Sequence, residues 1–235
     1  AVRYRRFTGR GQLVELAQSE NVINHLGEMF VDQQLGSEPG RIGNRDRWRA
    51  PQGVYRGRGP DDWIAGSVGD DRQWPLAGKD YSLTRFSRLD QINAGNASRL
   101  QVAWTFSVGS NHGQEAAPLI VDGVLYVVGA YPNELFALDA TTGQMKWKYS
   151  PHVDPSAQGE ACCDVVNRGA SYDNGKIFYN TLDNHTVAVD AKTGKEVWAT
   201  KLGEITRGQT LTMAPLAAHG KVFVGNSGGE MGVHG

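Results

Sequence analysis

Two cysteines stand side by side, Cys162 and Cys163 in GEACCDVVNRG, and they are the only two in 235 residues. Their spacing limits what they can do. Neighbouring residues joined by a trans peptide hold their Cα atoms ~3.8 Å apart. Ordinary disulfides span ~4.4–6.8 Å, so a bond between these two would close a small, strained ring. Such a ring encloses almost no chain, and the loop-entropy account of disulfide stabilisation assigns it little value. Three readings of the pair alone stay open: a hard, flat sulfur surface beside a ligand, a redox element, or two reduced cysteines acting as small buried hydrophobes.

Other residues with chemical potential lie on either side of the pair. Glu115 sits in HGQEAAP, Arg168 in VVNRG, Thr212 in TLTMAP, and Ser227, Gly228, Gly229 and Glu230 in GNSGGEMGVHG. Taken singly, each has an ordinary structural role. Glu115 is then a charge on a strand edge, Arg168 a partner of Asp164, Thr212 a β-former, and the Ser-Gly-Gly run a plain turn. His112, His152, His185, His219 and His234 show no metal-ligand spacing and read as surface or turn residues.

The elements that must position these residues are strands. Hydrophobic residues make up 40% of the chain, enough for a core, and glycine is abundant at 30 residues. Short β-branched runs recur between glycines and asparagines, the pattern of an all-β domain. Two segments align without gaps, LFALDATTGQMKW (135–147) and TVAVDAKTGKEVW (186–198), and a third tryptophan, Trp104 in LQVAWTF, is expected to end a comparable strand. Upstream of each full copy lies a hairpin signature, PLIVDGVLYVVG (118–129) and ASYDNGKIFYNT (170–181), and a third, PLAAHGKVFVGN (215–226), opens another unit. Chained together they give a four-strand unit repeating every ~45–52 residues, the period of propeller blades. A four-stranded sheet cannot bury both faces alone, so such units stack around an axis. An ordinary β-sandwich would not repeat AxDxxTGxxxW.

Charge is unevenly spread. The net charge is −1, yet residues 1–60 carry ten arginines, no lysine and six acidic residues, leaving the remainder acidic. The clusters RYRR (3–6), RDRWR (45–49) and GVYRGRGP (53–60) read as a solvated, poorly ordered segment rather than a nucleic-acid site. We therefore divide the chain into a basic Arg/Gly-rich segment with a short helix over LVELAQSEN (13–21), residues 1–72, and a repeat-bearing domain, residues 73–235. No apolar run approaches the ~18 residues of a membrane span. The chain starts at Ala1 with no signal peptide in view, so it is expected to be processed or part of something longer.

The Trp-ended repeat, ACCDVVNRG, TLTMAP and GNSGGEMGVHG together resemble the pyrroloquinoline quinone (PQQ) dependent alcohol dehydrogenases, and within them the methanol dehydrogenase large subunits. The resemblance covers residues 73–235 and implies about three N-terminal blades of an eight-bladed β-propeller with tryptophan-docking repeats. It implies that Cys162 and Cys163 are oxidised and lie against one face of the quinone. Glu115 and Thr212 match residues that hydrogen-bond the cofactor, Arg168 an arginine that pairs with one of its three carboxylates, and Ser227, Gly228 and Gly229 the turn beside it. Glu230 matches a ligand of the active-site metal, Ca2+ or a light lanthanide; NTLDNHTVAVDAKTGKEVW (180–198) looks more like the lanthanide branch.

The activity implied is oxidation of methanol or ethanol to the aldehyde in the periplasm, with electrons passed to a cytochrome c. The metal would polarise the quinone carbonyl as a Lewis acid. A homodimer or heterotetramer is the oligomer expected of such an enzyme. The family's catalytic aspartate, a metal-ligating asparagine and the tryptophan under the quinone match positions beyond Gly235, so no catalytic residue is named. In the family a helix like LVELA precedes QWPLAGKDYSLTRFS almost directly, whereas here residues 22–72 separate them, as an insertion or a reading-frame or assembly error. Two rival functions remain, a cofactor-free propeller scaffold and an inactive fragment.

Overall fold

A computed structural model describes residues 67, 69–161 and 164–227 of the chain. All but a few of the repeat-bearing residues are among them, and all belong to one unit, Val54–Gly235. The basic stretch with its expected helix over 13–21 lies outside the described residues, as do Cys162, Cys163, Gly228, Gly229 and Glu230.

Eleven strands are described: β1 (Gln114–Ala117), β2 (Leu119–Val121), β3 (Val124–Val128), β4 (Leu135–Asp139), β5 (Met145–Tyr149), β6 (Asn167–Asp173), β7 (Lys176–Asn180), β8 (His185–Asp190), β9 (Glu196–Lys201), β10 (Leu216–Ala218) and β11 (Lys221–Phe223). They form the four-stranded antiparallel sheet β2-β3-β4-β5, the sheet β1-β6-β7-β8-β9, and the hairpin β10-β11. These are two full blades and the opening of a third. Each hairpin turns where the sequence placed it. Asp122-Gly123, Asn174-Gly175 and His219-Gly220 all have positive φ at both central positions, the geometry that matches the twist of the flanking strands.

Side-chain alternation explains how the blades stack. On β7 and β8, Ile177, Tyr179, Val187 and Val189 face the first blade, packing with Leu119, Val121, Tyr126, Val128 and Leu135. The intervening Phe178 and Ala188 pack on Ala217 of the third unit, with Trp198 and Val222 against them. The middle blade is thus covered on both faces, which is why the interior of β8, TVAV, is buried throughout.

The AxDxxTGxxxW repeat has a physical cause. The Asp139 carboxylate accepts from the amides of Thr141 and Thr142 at 3.1 and 3.0 Å; Asp190 does the same for Lys192 and Thr193 at 3.1 and 2.7 Å. Each closes a tight turn that ends on a glycine. The tryptophan of the preceding unit lies over that glycine: a Cβ on Gly143 would sit 2.5 Å from the Trp104 ring, and one on Gly194 2.6 Å from the Trp147 ring. The indole nitrogens then donate to Ala140 and Ala191 carbonyls at 3.2 and 3.1 Å.

One expectation fails. Trp104 docks as the repeat requires, but residues 101–108 form no strand. A strand exists only by pairing, and among the described residues this segment packs its side chains on the first blade, Phe106 against Phe136, without pairing to a strand. The docking is a side-chain event and survives without it.

Residues 73–81 run across all three units. Gln73 exchanges two side-chain hydrogen bonds with Asp122 at 2.9 Å each, Trp74 pairs with Ile120 and Leu76 with Ser171, and the Tyr81 hydroxyl donates to the Ala217 carbonyl at 3.0 Å. Lys79 is buried against Asp71, with which it forms a short ion pair.

Candidate functional site

Four of the residues singled out in the sequence meet at one place. Strand β1 runs parallel to β6, with Gln114 opposite Asn167 and Ala117 opposite Gly169. That register sets Glu115 beside Arg168, whose Nε lies 3.3 Å from the carboxylate. Nη1 of Arg168 donates to the Thr212 hydroxyl at 2.8 Å, and that hydroxyl lies 3.0 Å from the Ser227 hydroxyl. The result is a continuous chain, Glu115, Arg168, Thr212, Ser227. It replaces the Asp164 pairing considered for Arg168, and it gives the edge-strand Glu115 a partner.

The VVNRG motif builds this locally. The Asn167 side chain accepts from the Gly169 amide at 2.9 Å and donates to the Asn180 carbonyl at 2.8 Å. Gly169 has φ 121, and a Cβ there would sit 3.0 Å from the Ala117 carbonyl oxygen. Only glycine allows β1 to approach β6 so closely. Upstream, the Val165 carbonyl accepts from the Tyr131 amide at 3.0 Å, and Val166 is buried. The segment that follows the cysteine pair is therefore anchored on both sides.

The 209–213 segment is brought in by single bonds. Thr212 offers its carbonyl to the Arg168 amide at 3.0 Å and Thr210 its carbonyl to the Ser227 amide at 3.0 Å. Asn184 donates to the Gln209 carbonyl at 2.6 Å and Asn180 to the Met213 carbonyl at 2.9 Å. These asparagines carried no signal in the sequence, since their offsets from Arg168 follow no motif. Gly225 leaves room for the Met213 sulfur, which would lie 2.8 Å from a Cβ there.

The chemistry of this donor set suits an anionic, oxygen-rich ligand. A guanidinium presents five N–H donors in a planar fork that matches carboxylates. Here it is held in orientation by Glu115 and Thr212 while remaining 41% exposed. Thr212 is only 2% exposed, so it fixes the arginine and Ser227 from within. Among the described residues no cluster of three metal-ligating side chains occurs, and Glu230 lies outside them.

A second concavity, of about 300 Å³, opens between the two full blades, lined by Tyr149, His152, Asp183, His185 and Glu196 among others. There His185 Nδ1 sits 3.1 Å from the buried Asp183 carboxylate. None of the residues singled out in the sequence as candidate ligands lines it.

Comparisons with known proteins agree with the geometry. A PQQ family model described as glucose/ethanol/alcohol dehydrogenase, β-propeller domain, matches residues 74–221, and a second, CoA-transferase family III, matches residues 1–103. The chain is 52% identical over 165 residues to a lanthanide-dependent methanol dehydrogenase of Methylacidiphilum fumariolicum, covering 69% of this chain and 27% of that protein. It is 48% identical over 155 residues to one of Methylorubrum extorquens, covering 66% and 26%. A solved europium-containing methanol dehydrogenase superposes with a TM-score of 0.69 at 48% identity, over 71% of this chain and 29% of that one. The chain thus spans little more than a quarter of the length of the curated relatives it matches.

Proposed function

The chain belongs to the glucose/ethanol/alcohol dehydrogenase β-propeller family, and we propose that it carries the cofactor-holding part of an enzyme that oxidises small primary alcohols with PQQ. One observation carries this: Glu115, Arg168, Thr212 and Ser227, distant in sequence, form a single row joined by an ion pair and two hydrogen bonds, with the guanidinium partly exposed. That row fits a tricarboxylate, because a charged fork flanked by hydroxyls binds carboxylate oxygens with direction as well as charge.

Bound there, the quinone would supply the two-electron oxidising capacity that no side chain of the protein possesses. The residues of the chain bind and orient. Arg168, with Thr212 and Ser227, would hold a carboxylate edge, and Glu115 would accept a hydrogen bond while keeping the guanidinium in plane. Gly228 and Gly229 would let backbone approach the ligand, and the Cys162-Cys163 pair, oxidised, would present a flat face to it. Glu230 would give a hard oxygen ligand to Ca2+ or a light lanthanide.

A cytochrome c acceptor belongs to the same proposal, supported by 44% identity to a protein of Methylobacterium organophilum named methanol dehydrogenase [cytochrome c] subunit 1. A periplasmic location is supported by the chemistry of the cysteine pair, since disulfides persist in oxidising compartments. Residues 1–72 form a separate segment in this reading. The CoA-transferase match over residues 1–103 supports a different origin for it, whereas the Gln73 side chain already bonds to the first blade.

The test is a titration of PQQ, with Ca2+ or a light lanthanide, into the native polypeptide, read by tryptophan fluorescence and by dye-linked oxidation of methanol and ethanol. Saturable binding that Arg168→Leu weakens at least about tenfold, the scale of a lost charged hydrogen bond, is the expected result. Binding that Arg168→Leu leaves unchanged overturns the proposal.

A further inference from the structure

Thr212 reaches Arg168 on a segment that no ladder holds. Apart from an isolated bridge between Thr210 and Ser227, residues 209–213 belong to no sheet among the described residues. Their position depends on separate hydrogen bonds, and the side-chain donor next to Thr212 is Asn180. Its Nδ2 donates to the Met213 carbonyl at 2.9 Å, and its Oδ1 accepts from the Thr186 hydroxyl at 2.8 Å. Its own carbonyl accepts from Asn167 Nδ2 at 2.8 Å, and Asn167 in turn holds the Gly169 amide. One residue, fully buried at 0% exposure, therefore connects both neighbours of Arg168 to the residue after Thr212.

We infer that Asn180 is a positioning residue for the cofactor cleft, its side chain setting the distance between the Arg168 guanidinium and the Thr212 hydroxyl by holding the Met213 carbonyl, while its main-chain carbonyl receives Asn167. The inference rests on the cofactor reading above. Its physical basis is the cost of losing a buried donor: the Met213 carbonyl would be left unpaired, and the segment would shift to find another partner. A shift of that kind at Thr212 would reorient Arg168, whose Nη1 the Thr212 hydroxyl receives. Fold stability and cleft geometry are separable by comparison with a buried hydrogen bond outside this network, that of the Tyr126 hydroxyl to the Ala191 carbonyl at 3.1 Å.

Three variants of the native polypeptide decide the matter, each measured for PQQ dissociation constant by fluorescence and for melting temperature. Asn180→Asp keeps size and the Thr186 contact but replaces the donor facing Met213 with an acceptor. Tyr126→Phe removes one buried hydrogen bond outside that network. Arg168→Leu tests the cleft itself. The expected result is a dissociation constant raised about five- to tenfold by Asn180→Asp, the size of one hydrogen bond. Tyr126→Phe is expected to lower the melting temperature comparably and leave PQQ affinity within about twofold of the parent, as an uncoupled site should. Equal loss of affinity in Tyr126→Phe, or none in Asn180→Asp, overturns the positioning role. If Arg168→Leu weakens binding and Asn180→Asp does not, the positioning role alone falls; if Arg168→Leu has no effect, the cofactor reading falls with it. Should Asn180→Asp not accumulate as folded protein, Asn180→Ser, which shortens the donor without adding charge, is read in the same way.

Discussion

Arg168 does its work by direction. Its ion pair with Glu115 is long at 3.3 Å, and the two side chains are 41% and 49% exposed, so solvent screens it and it adds under about 1 kcal/mol to stability. Glu115→Gln is accordingly expected to move the melting temperature by no more than about 2–4 °C, and a larger drop would show that the pair holds the fold. What the pair provides is a fixed plane for the guanidinium. Arg168→Lys keeps the charge and loses the fork, so it should weaken PQQ binding measurably while remaining better than Arg168→Leu. Equal affinities for Arg168→Lys and the parent would mean that charge alone is recognised. At this scale the sequence marked Glu115, Arg168, Thr212 and Ser227 through their motifs. Asn180 was invisible, because a buried amide between strands has no period or spacing.

The turn carrying AxDxxTG joins one blade to the next. Gly194 has φ 71 and lies under the Trp147 ring, so Gly194→Ala meets both an unfavourable backbone and a clash with an indole. A loss of about 2–4 kcal/mol is expected, read from denaturant unfolding of the native polypeptide, and an unchanged midpoint would refute the docking account. The same turn is sensitive to acid. The Thr193 hydroxyl, followed by the Thr193 and Lys192 amides, holds the Asp190 carboxyl below the ordinary carboxylate range. A group whose folded pKa is depressed stabilises the fold above its unfolded value near ~3.9 and loses that contribution as pH falls through the folded value. Asp190→Asn should therefore flatten the decline in melting temperature as pH falls below about 4. An identical slope in parent and variant would rule Asp190 out. Asp139 is depressed by the Lys146 side chain and then by the Thr142 amide, so the two turns share a mechanism with different partners.

At the scale of the whole molecule, residues 73–81 touch each of the two blades and the opening of the third. Trp74 pairs with the first blade, Leu76 with the second, and Tyr81 bonds to Ala217 in the third. Leu76 and Tyr81 also pack with Leu216 and Ala218. Tyr81→Phe keeps that packing and removes one buried hydrogen bond, so it should cost about 1 kcal/mol. A protease accessibility assay around 214–223 should show the loosening; no change there would place the tie elsewhere. This stretch begins where the basic segment ends, and the family matches overlap over residues 74–103. Its pairing with the blades assigns residues 73–81 structurally to the propeller.

The sequence by itself determined the repeat, the hairpins and the docking turns, because these depend on contacts within a few residues. Asp-Gly, Asn-Gly and His-Gly turns need positive φ at both positions, Asp139 and Asp190 bond amides two and three residues on, and each glycine answers a tryptophan one repeat away. Local chemistry repeated at a constant period can be read from one chain. Trp104 shows the limit of that logic: its docking needs only Gly143 and Ala140, but a strand needs a neighbour to pair with, and pairing is not written in LQVAWTF. The tertiary structure decided the rest. Glu115 meets Arg168 because β1 lies parallel to β6, and Thr212 meets both Arg168 and Ser227 because Asn180 and Asn184 catch a segment outside the sheets. Bonds between strands far apart in sequence have no local signature, so only folding could show that the four residues form one row.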